Sequence, residues 1–138
     1  KIKEGGVTGT EVAGLPTNLS AFNNNKTPFV PVSNFNIGLD SNIAINDKLD
    51  FNANINLNGT GETYWFEDNV AKSDGYDLLD ARASLTLNKK VKFTVWGKNI
   101  TDKQYFLEYY SGAQFGGFDD FGWRGRPATY GATLSVDF

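Results

Sequence analysis

Aromatic, acidic and basic side chains are concentrated in one segment of the sequence, residues 104–126. Aromatic rings in a water-facing segment are unfavourable unless they pack together or bind something. Such rings can stack on sugars or aromatic ligands, and guanidinium groups can hold carboxylates. We therefore predict a ligand site here, against the alternative that the segment folds back on itself. The candidate ligand-binding residues are Tyr109, Tyr110, Phe115, Phe118, Trp123, Arg124 and Arg126.

The residue types exclude several kinds of chemistry. The 138 residues contain no Cys and no His, which excludes disulfide scaffolds, Cys nucleophiles, imidazole metal sites and Ser-His-Asp triads. The adjacent acids Asp119 and Asp120 lack the spaced oxygen ligands of a calcium loop. We predict no catalytic residue, no metal and no cofactor, and therefore no enzyme. The formal net charge of −3 gives no basic surface for nucleic acid.

Five segments alternate between apolar and polar residues, and a helical period appears nowhere. Such alternation is typical of strands that present one apolar face. No charged residue falls on the apolar side of any of the five segments, although 21% of all residues are charged. The segments are 34–45, 49–58, 78–87, 91–98 and 128–138.

Strand length and loop length favour a membrane barrel over a soluble sandwich. The longest alternating segments run for about eleven residues, roughly 36 Å, and a tilted strand of that length matches the apolar band of an outer-membrane barrel. The connections 46–48 and 88–90 are short, whereas 66–75 and 102–126 are long. In a meander this alternation puts the short turns at one end and the long loops at the other, which is the outer-membrane pattern. Five strands cannot close such a barrel, so we expect the rest to come from other sequence.

Aromatic residues near both ends of the predicted strands are candidates for the two aromatic girdles of a membrane protein. The predicted membrane-interface residues are Phe51, Trp65, Phe93, Tyr130 and Phe138. Trp96 does not fit this pattern because it falls on the polar side of its strand. Either a bulge rotates it, or it packs inside the barrel. Asn99 follows the same strand, and we favour hydrogen bonds to local backbone over a ligand contact for its side chain.

Three strings of residues resemble the end of a TonB-dependent outer-membrane receptor. They read Tyr-Asp-Leu-Leu-Asp-Ala-Arg at 76–82, Val-Trp-Gly-Lys-Asn-Ile-Thr-Asp-Lys-Gln-Tyr at 95–105, and Arg-Pro-Ala-Thr-Tyr-Gly at 126–131, before the final Phe138. Thr-Pro-Phe-Val-Pro at 27–31 resembles the entry to an earlier strand of the same barrel. The second string is the most specific. The resemblance covers residues 27–138, and residues 1–26 look like a variable loop.

The resemblance implies an all-β fold: about the last five strands of a 22-stranded transmembrane antiparallel β-barrel with meander topology. Residues 1–32 would be an extracellular loop segment with a possible strand end. Residues 33–138 would be the C-terminal barrel strands with extracellular loops 66–75 and 102–126.

The resemblance also implies a function and partners. Such receptors lie in the outer membrane of Gram-negative bacteria and import scarce ligands such as siderophores, cobalamin or oligosaccharides. The expected partners are outer-membrane lipids, the imported ligand, and the remaining strands and plug domain of the same receptor. The TonB complex of the inner membrane would act through a region outside this chain. Two other interpretations stay open: a soluble β-sandwich module that binds carbohydrate, and a porin-like barrel without TonB.

Overall fold

The computed structural model describes residues 24–112, 116–117 and 119–138. The strands in this part of the chain are β1 (Asn34–Asn46), β2 (Leu49–Thr60), β3 (Thr63–Tyr64), β4 (Lys72–Ser73), β5 (Tyr76–Leu87), β6 (Val91–Lys98), β7 (Phe106–Tyr110), β8 (Phe121–Arg124) and β9 (Thr129–Val136). Within the described ranges, no helix has the length and apolar character needed to cross a membrane.

Five long strands form one antiparallel sheet in the order β1-β2-β5-β6-β9. Each of the five alternating segments contributes one of these strands, so the predicted meander is confirmed. Turns 47–48 and 88–90 lie side by side, since the Asn88 N–H donates to the Lys48 carbonyl at 2.6 Å. The two long connections leave the opposite end of the sheet. They are not plain loops, because each contains a short hairpin: β3–β4 in one and β7–β8 in the other.

The strand register brings the five apolar sides together on one face of the sheet. Phe51 pairs with Leu85, Leu85 with Phe93, and Phe93 with Leu134. Leu134 is 65% exposed, and Leu39 on β1 is 68% exposed. Among the described residues no second layer covers this face. The sheet therefore presents an apolar surface that a soluble sandwich would bury under a second sheet.

The opposite face of the sheet is polar and rich in asparagine. Asn36 Nδ2 on β1 donates to Asn56 Oδ1 at 2.9 Å and to Asn58 Oδ1 at 2.6 Å on β2. Further along, Asn54 Nδ2 donates to Asp40 Oδ1 at 2.8 Å. These cross-strand bonds let short amide side chains satisfy one another on an exposed surface.

Trp96 stays on the polar face. It pairs with Arg82 on one side and Gly131 on the other, in a continuous register. No bulge rotates it, so that alternative is wrong. Its indole lies over Gly131, where an added Cβ would be 2.4 Å from Trp96 Cζ2.

The β3–β4 connection packs against the chain that precedes β1. The Phe29 N–H donates to the Tyr64 carbonyl at 2.8 Å, and the Val32 N–H donates to the Glu62 carbonyl at 2.9 Å. Residues 24–32 are thus held on this connection, and residues 1–23 of the predicted loop segment lie outside the described residues. Trp65 is buried here, only 4% exposed, with its ring edge-on to Phe29 at 5.8 Å.

Candidate functional site

The aromatic segment 104–126 forms the β7–β8 hairpin at the long-connection end of the sheet. Tyr110 pairs with Phe121 and Glu108 with Trp123, and the register shifts between Phe106 and Glu108. Because side chains alternate along a strand, the hairpin has two different faces. The prediction of a loop overlooked this hairpin, since its strands are short and the bulge interrupts their alternation.

One face of the hairpin is a cluster of three rings: Tyr110, Phe121 and Trp123. The rings of Tyr110 and Phe121 are stacked, with centroids 5.1 Å apart. Trp123 meets both of them edge-on, at 5.7 Å from Tyr110 and 5.9 Å from Phe121. Phe121 and Trp123 remain 49% and 55% exposed. The cluster therefore packs internally and still offers ring surface to a ligand.

The other face of the hairpin carries Phe106, Tyr109 and Arg124. Phe106 lies edge-on to Tyr109 at 6.1 Å, and the Arg124 guanidinium carbon lies 5.8 Å from the Phe106 ring centre. This distance is within the range of a cation–π contact. The cation is therefore separated from the three-ring cluster.

The predicted ligand-binding residues do not form one cluster, because they lie on two opposite faces of the hairpin. Tyr110 and Trp123 share one face, and Tyr109 and Arg124 share the other. Arg126 lies beyond the end of β8, and its carbonyl is part of the hairpin base. Phe115 and Phe118 lie outside the described residues.

Both tyrosine hydroxyls of the hairpin are bonded to carboxylates of the same hairpin. Tyr110 Oη donates to Glu108 Oε1 at 2.6 Å, and Tyr109 Oη donates to Asp120 Oδ2. These bonds raise the pKa of each tyrosine, because ionisation would place two negative charges side by side. The hydroxyl groups of both tyrosines are thus already used for hydrogen bonds within the hairpin.

Asp120 is an acceptor for several groups of the hairpin. Besides Tyr109, the Gly112 N–H donates to Asp120 Oδ1 at 2.9 Å, and Ser111 Oγ donates to it at 3.3 Å. The hydrogen bond from Tyr109 and then that from Gly112 lower the pKa of Asp120. Among the described residues, no group of three or more acidic side chains is placed to hold a metal ion.

Asn99 lies at the base of the hairpin and is only 4% exposed. Its Nδ2 donates to the carbonyls of Lys103 at 2.9 Å and Arg126 at 3.0 Å, and its Oδ1 accepts from the Lys103 N–H at 2.9 Å. The favoured interpretation, hydrogen bonds to backbone, is confirmed. The bond to Arg126 crosses 27 residues of sequence, which no local motif could have indicated.

Three of the five predicted membrane-interface aromatics lie on the apolar side of the sheet. Phe51 and Phe93 are near the short turns, and Tyr130 is toward the long connections, with Phe93 48% and Tyr130 65% exposed. Phe138 lies beyond the end of β9 and is fully exposed. Trp65 does not lie with them, because the β3–β4 connection and Phe29 bury it.

The sequence matches no family model. The structure is similar to the crystal structure of the ferric yersiniabactin uptake receptor FyuA from Yersinia pestis, with a TM-score of 0.73 and 20% sequence identity. The similarity covers 85% of this chain and 18% of that receptor, so the chain spans less than a fifth of the receptor's length. At this identity the likeness shows the fold. It confirms the predicted fold class, since this all-β antiparallel segment matches part of a receptor barrel and its described strands do not close a barrel by themselves.

Proposed function

We propose that this chain is the C-terminal barrel segment of a TonB-dependent receptor that imports a scarce ligand across the outer membrane of a Gram-negative bacterium. The observation that supports this most strongly is the charge-free apolar face, which runs across all five long strands and is exposed. A barrel in lipid needs such a face on its outside. The likeness to an uptake receptor supports the same proposal.

The proposal gives each part of the chain a place in the membrane. The apolar face contacts lipid, and the asparagine-rich face lines the interior beside the plug domain. The short turns lie in the periplasm, and the two hairpins lie outside the cell. Phe51, Phe93, Tyr130 and Phe138 belong to the aromatic girdles at the membrane surfaces.

In this arrangement the β7–β8 hairpin contributes part of the ligand site. Its exposed rings, Phe121 and Trp123, suit the flat face of a sugar or of an aromatic chelator. The ligand therefore belongs to the siderophore, cobalamin or oligosaccharide class, and other loops of the receptor share in binding it. Uptake draws on energy from the inner-membrane TonB complex through a region outside this chain.

Uptake by the complete receptor tests this function. Cells that depend on the receptor are given labelled ferric siderophores, cobalamin and a set of oligosaccharides, with and without a working TonB complex. We expect uptake of at least one compound, and we expect it to be lost without TonB. Uptake that continues without TonB would indicate a porin-like barrel, and no uptake of any compound would contradict the proposal.

A further inference from the structure

We propose that Asn99 is the residue that positions the β7–β8 hairpin, through a single side chain that holds together the two ends of the segment 103–126. The part of this inference that concerns a ligand rests on the proposed function. The part that concerns the hairpin's position rests on geometry alone.

The Asn99 side chain joins residues at both ends of the segment. One amide group binds the N–H and carbonyl of Lys103, at the start, and the carbonyl of Arg126, at the end. All three bonds are 2.9 or 3.0 Å long, and the residue is only 4% exposed to solvent. Loss of these bonds would leave the carbonyls without partners, which favours local opening of the hairpin base so that water can reach them.

The same residue is fixed to the sheet through its backbone. The Asn99 N–H donates to Asp80 Oδ1 on β5 at 2.9 Å, and the next N–H, of Ile100, donates to the Leu79 carbonyl at 2.9 Å. The hairpin is therefore tied to β5 by way of Asn99, and not only to β6 and β9, which it connects.

Few residues could replace Asn99 here. Its φ is +48°, a conformation that Asn and Gly adopt more readily than other residues. The site also needs two N–H donors and one oxygen acceptor on a short side chain. Aspartate would keep the shape and the acceptor but would set a carboxylate against two carbonyl oxygens.

Neighbouring contacts close the same base but do not duplicate Asn99. The Gly125 N–H donates to the Tyr105 carbonyl at 2.8 Å, and the Tyr105 ring stacks on Tyr76 at 4.3 Å. Asp102 Oδ1 accepts the Ala128 N–H at 2.8 Å. Among the residues that the structure describes, Asn99 alone bonds to both ends of the segment through one side chain. Without it the hairpin keeps its own ladder and loses its fixed position.

The test measures the position of the hairpin in the complete receptor. One nitroxide is attached at Leu107→Cys in β7 and another at Asp47→Cys in the short turn at the far end of the sheet. Pulsed electron-spin resonance then gives the distribution of distances between them. We expect a narrow distribution in the wild type and a broad or shifted one in Asn99→Gly and Asn99→Asp. Asn99→Gly keeps the backbone conformation, so its effect reports the amide alone.

Asn88→Gly is the matched control. Asn88 has a φ of +52°, close to that of Asn99, but lies in a short turn at the other end of the sheet. The Asn88→Gly variant should leave the distance distribution unchanged.

Trypsin cleavage at Arg124 should become about tenfold faster in the Asn99 variants, because local opening exposes the backbone. The midpoint for unfolding of the barrel should not move, which separates positioning from a general loss of stability.

A wild-type distance distribution in both Asn99 variants would overturn the proposal. A lowered unfolding midpoint with an unchanged distribution would also overturn it, since Asn99 would then serve stability only. A displaced hairpin with unchanged ligand uptake would support the role of Asn99 and would overturn the ligand role of the hairpin.

Discussion

Several aromatic rings lie directly on glycines of neighbouring strands. A Cβ added at Gly59 would be 1.9 Å from Cε1 of Phe35, and one added at Gly131 would be 2.4 Å from Cζ2 of Trp96. Each ring covers a backbone that has no side chain of its own. This contact explains why Trp96 can lie on the polar face. The sequence alone could not show it, because the facing residue is known only once the register is known.

Replacement of Gly131 tests this contact. In Gly131→Ala the new methyl group would collide with the Trp96 indole, so the ring would have to move away from residue 131. We expect a loss of stability of about 1–3 kcal/mol, together with increased quenching of Trp96 fluorescence by acrylamide. Gly38→Ala is the control, since its Cβ would meet Asn56 Oδ1 at an ordinary 3.4 Å on the same face. Equal losses of stability in the two variants would show that the loss comes from replacing a strand glycine and not from the contact with the Trp96 ring.

At the scale of secondary structure, alternation predicted the five long strands but neither hairpin. Long strands with one apolar face carry many repeats of the period-two signal. β3 and β4 have two residues each, and β7 contains the register shift at Phe106. Such elements depend on contacts with distant parts of the chain, such as Phe29 with Tyr64. Sequence patterns contain little information about these contacts.

The hairpin should be most ordered in a window of pH. The pKa of Asp120 is lowered in the folded hairpin, so its bonds contribute fully above the usual aspartate pKa of about 3.9 and are lost as the pH falls through the lowered value. The pKa of Tyr109 is raised, so its bond contributes fully below about 10 and is lost as the pH rises through the raised value. The mobility of a nitroxide at Leu107→Cys should therefore increase at both extremes.

Asp120→Asn separates the two limbs of this pH dependence. Asparagine can still accept the Tyr109 hydroxyl but has no acid to titrate in this range. In this variant the mobility of the nitroxide should no longer increase at low pH but should still increase at high pH. If the nitroxide mobility still increases at low pH in Asp120→Asn, another group of the receptor is responsible for that increase.

At the scale of the whole molecule, the sequence predicted which residues share a face but not which candidate residues meet. The apolar residues of five strands align because a slip of one residue would turn the apolar side of a strand to the polar face, and short turns also fix the register of the β1–β2 and β5–β6 pairs. The candidate ligand residues, in contrast, lie on a short hairpin, whose alternation places the neighbours Tyr109 and Tyr110 on opposite faces. The hydroxyl partner of Tyr109 is Asp120 on the other side of the hairpin, and this contact could be predicted only once the pairing of β7 with β8 was known.

Two neighbouring residues of β9 test which face meets lipid. Leu134 is on the apolar face, and Thr133 is on the polar face and also exposed. In the complete receptor, Leu134→Arg would put a charge in the bilayer, and we expect it to cost about 2–4 kcal/mol near the midplane. Thr133→Arg would face the interior and should change the free energy of folding by less than about 0.5 kcal/mol.

Folding titrations of both variants in lipid vesicles measure this difference directly. Because the residues are adjacent in one strand, backbone effects and expression are matched, and only the direction of the side chain differs. Equal losses would mean that both faces meet the same surroundings, which a barrel in a bilayer does not allow. A larger loss for Thr133→Arg would place the polar face against a packed core and would remove the main support for the proposed membrane segment.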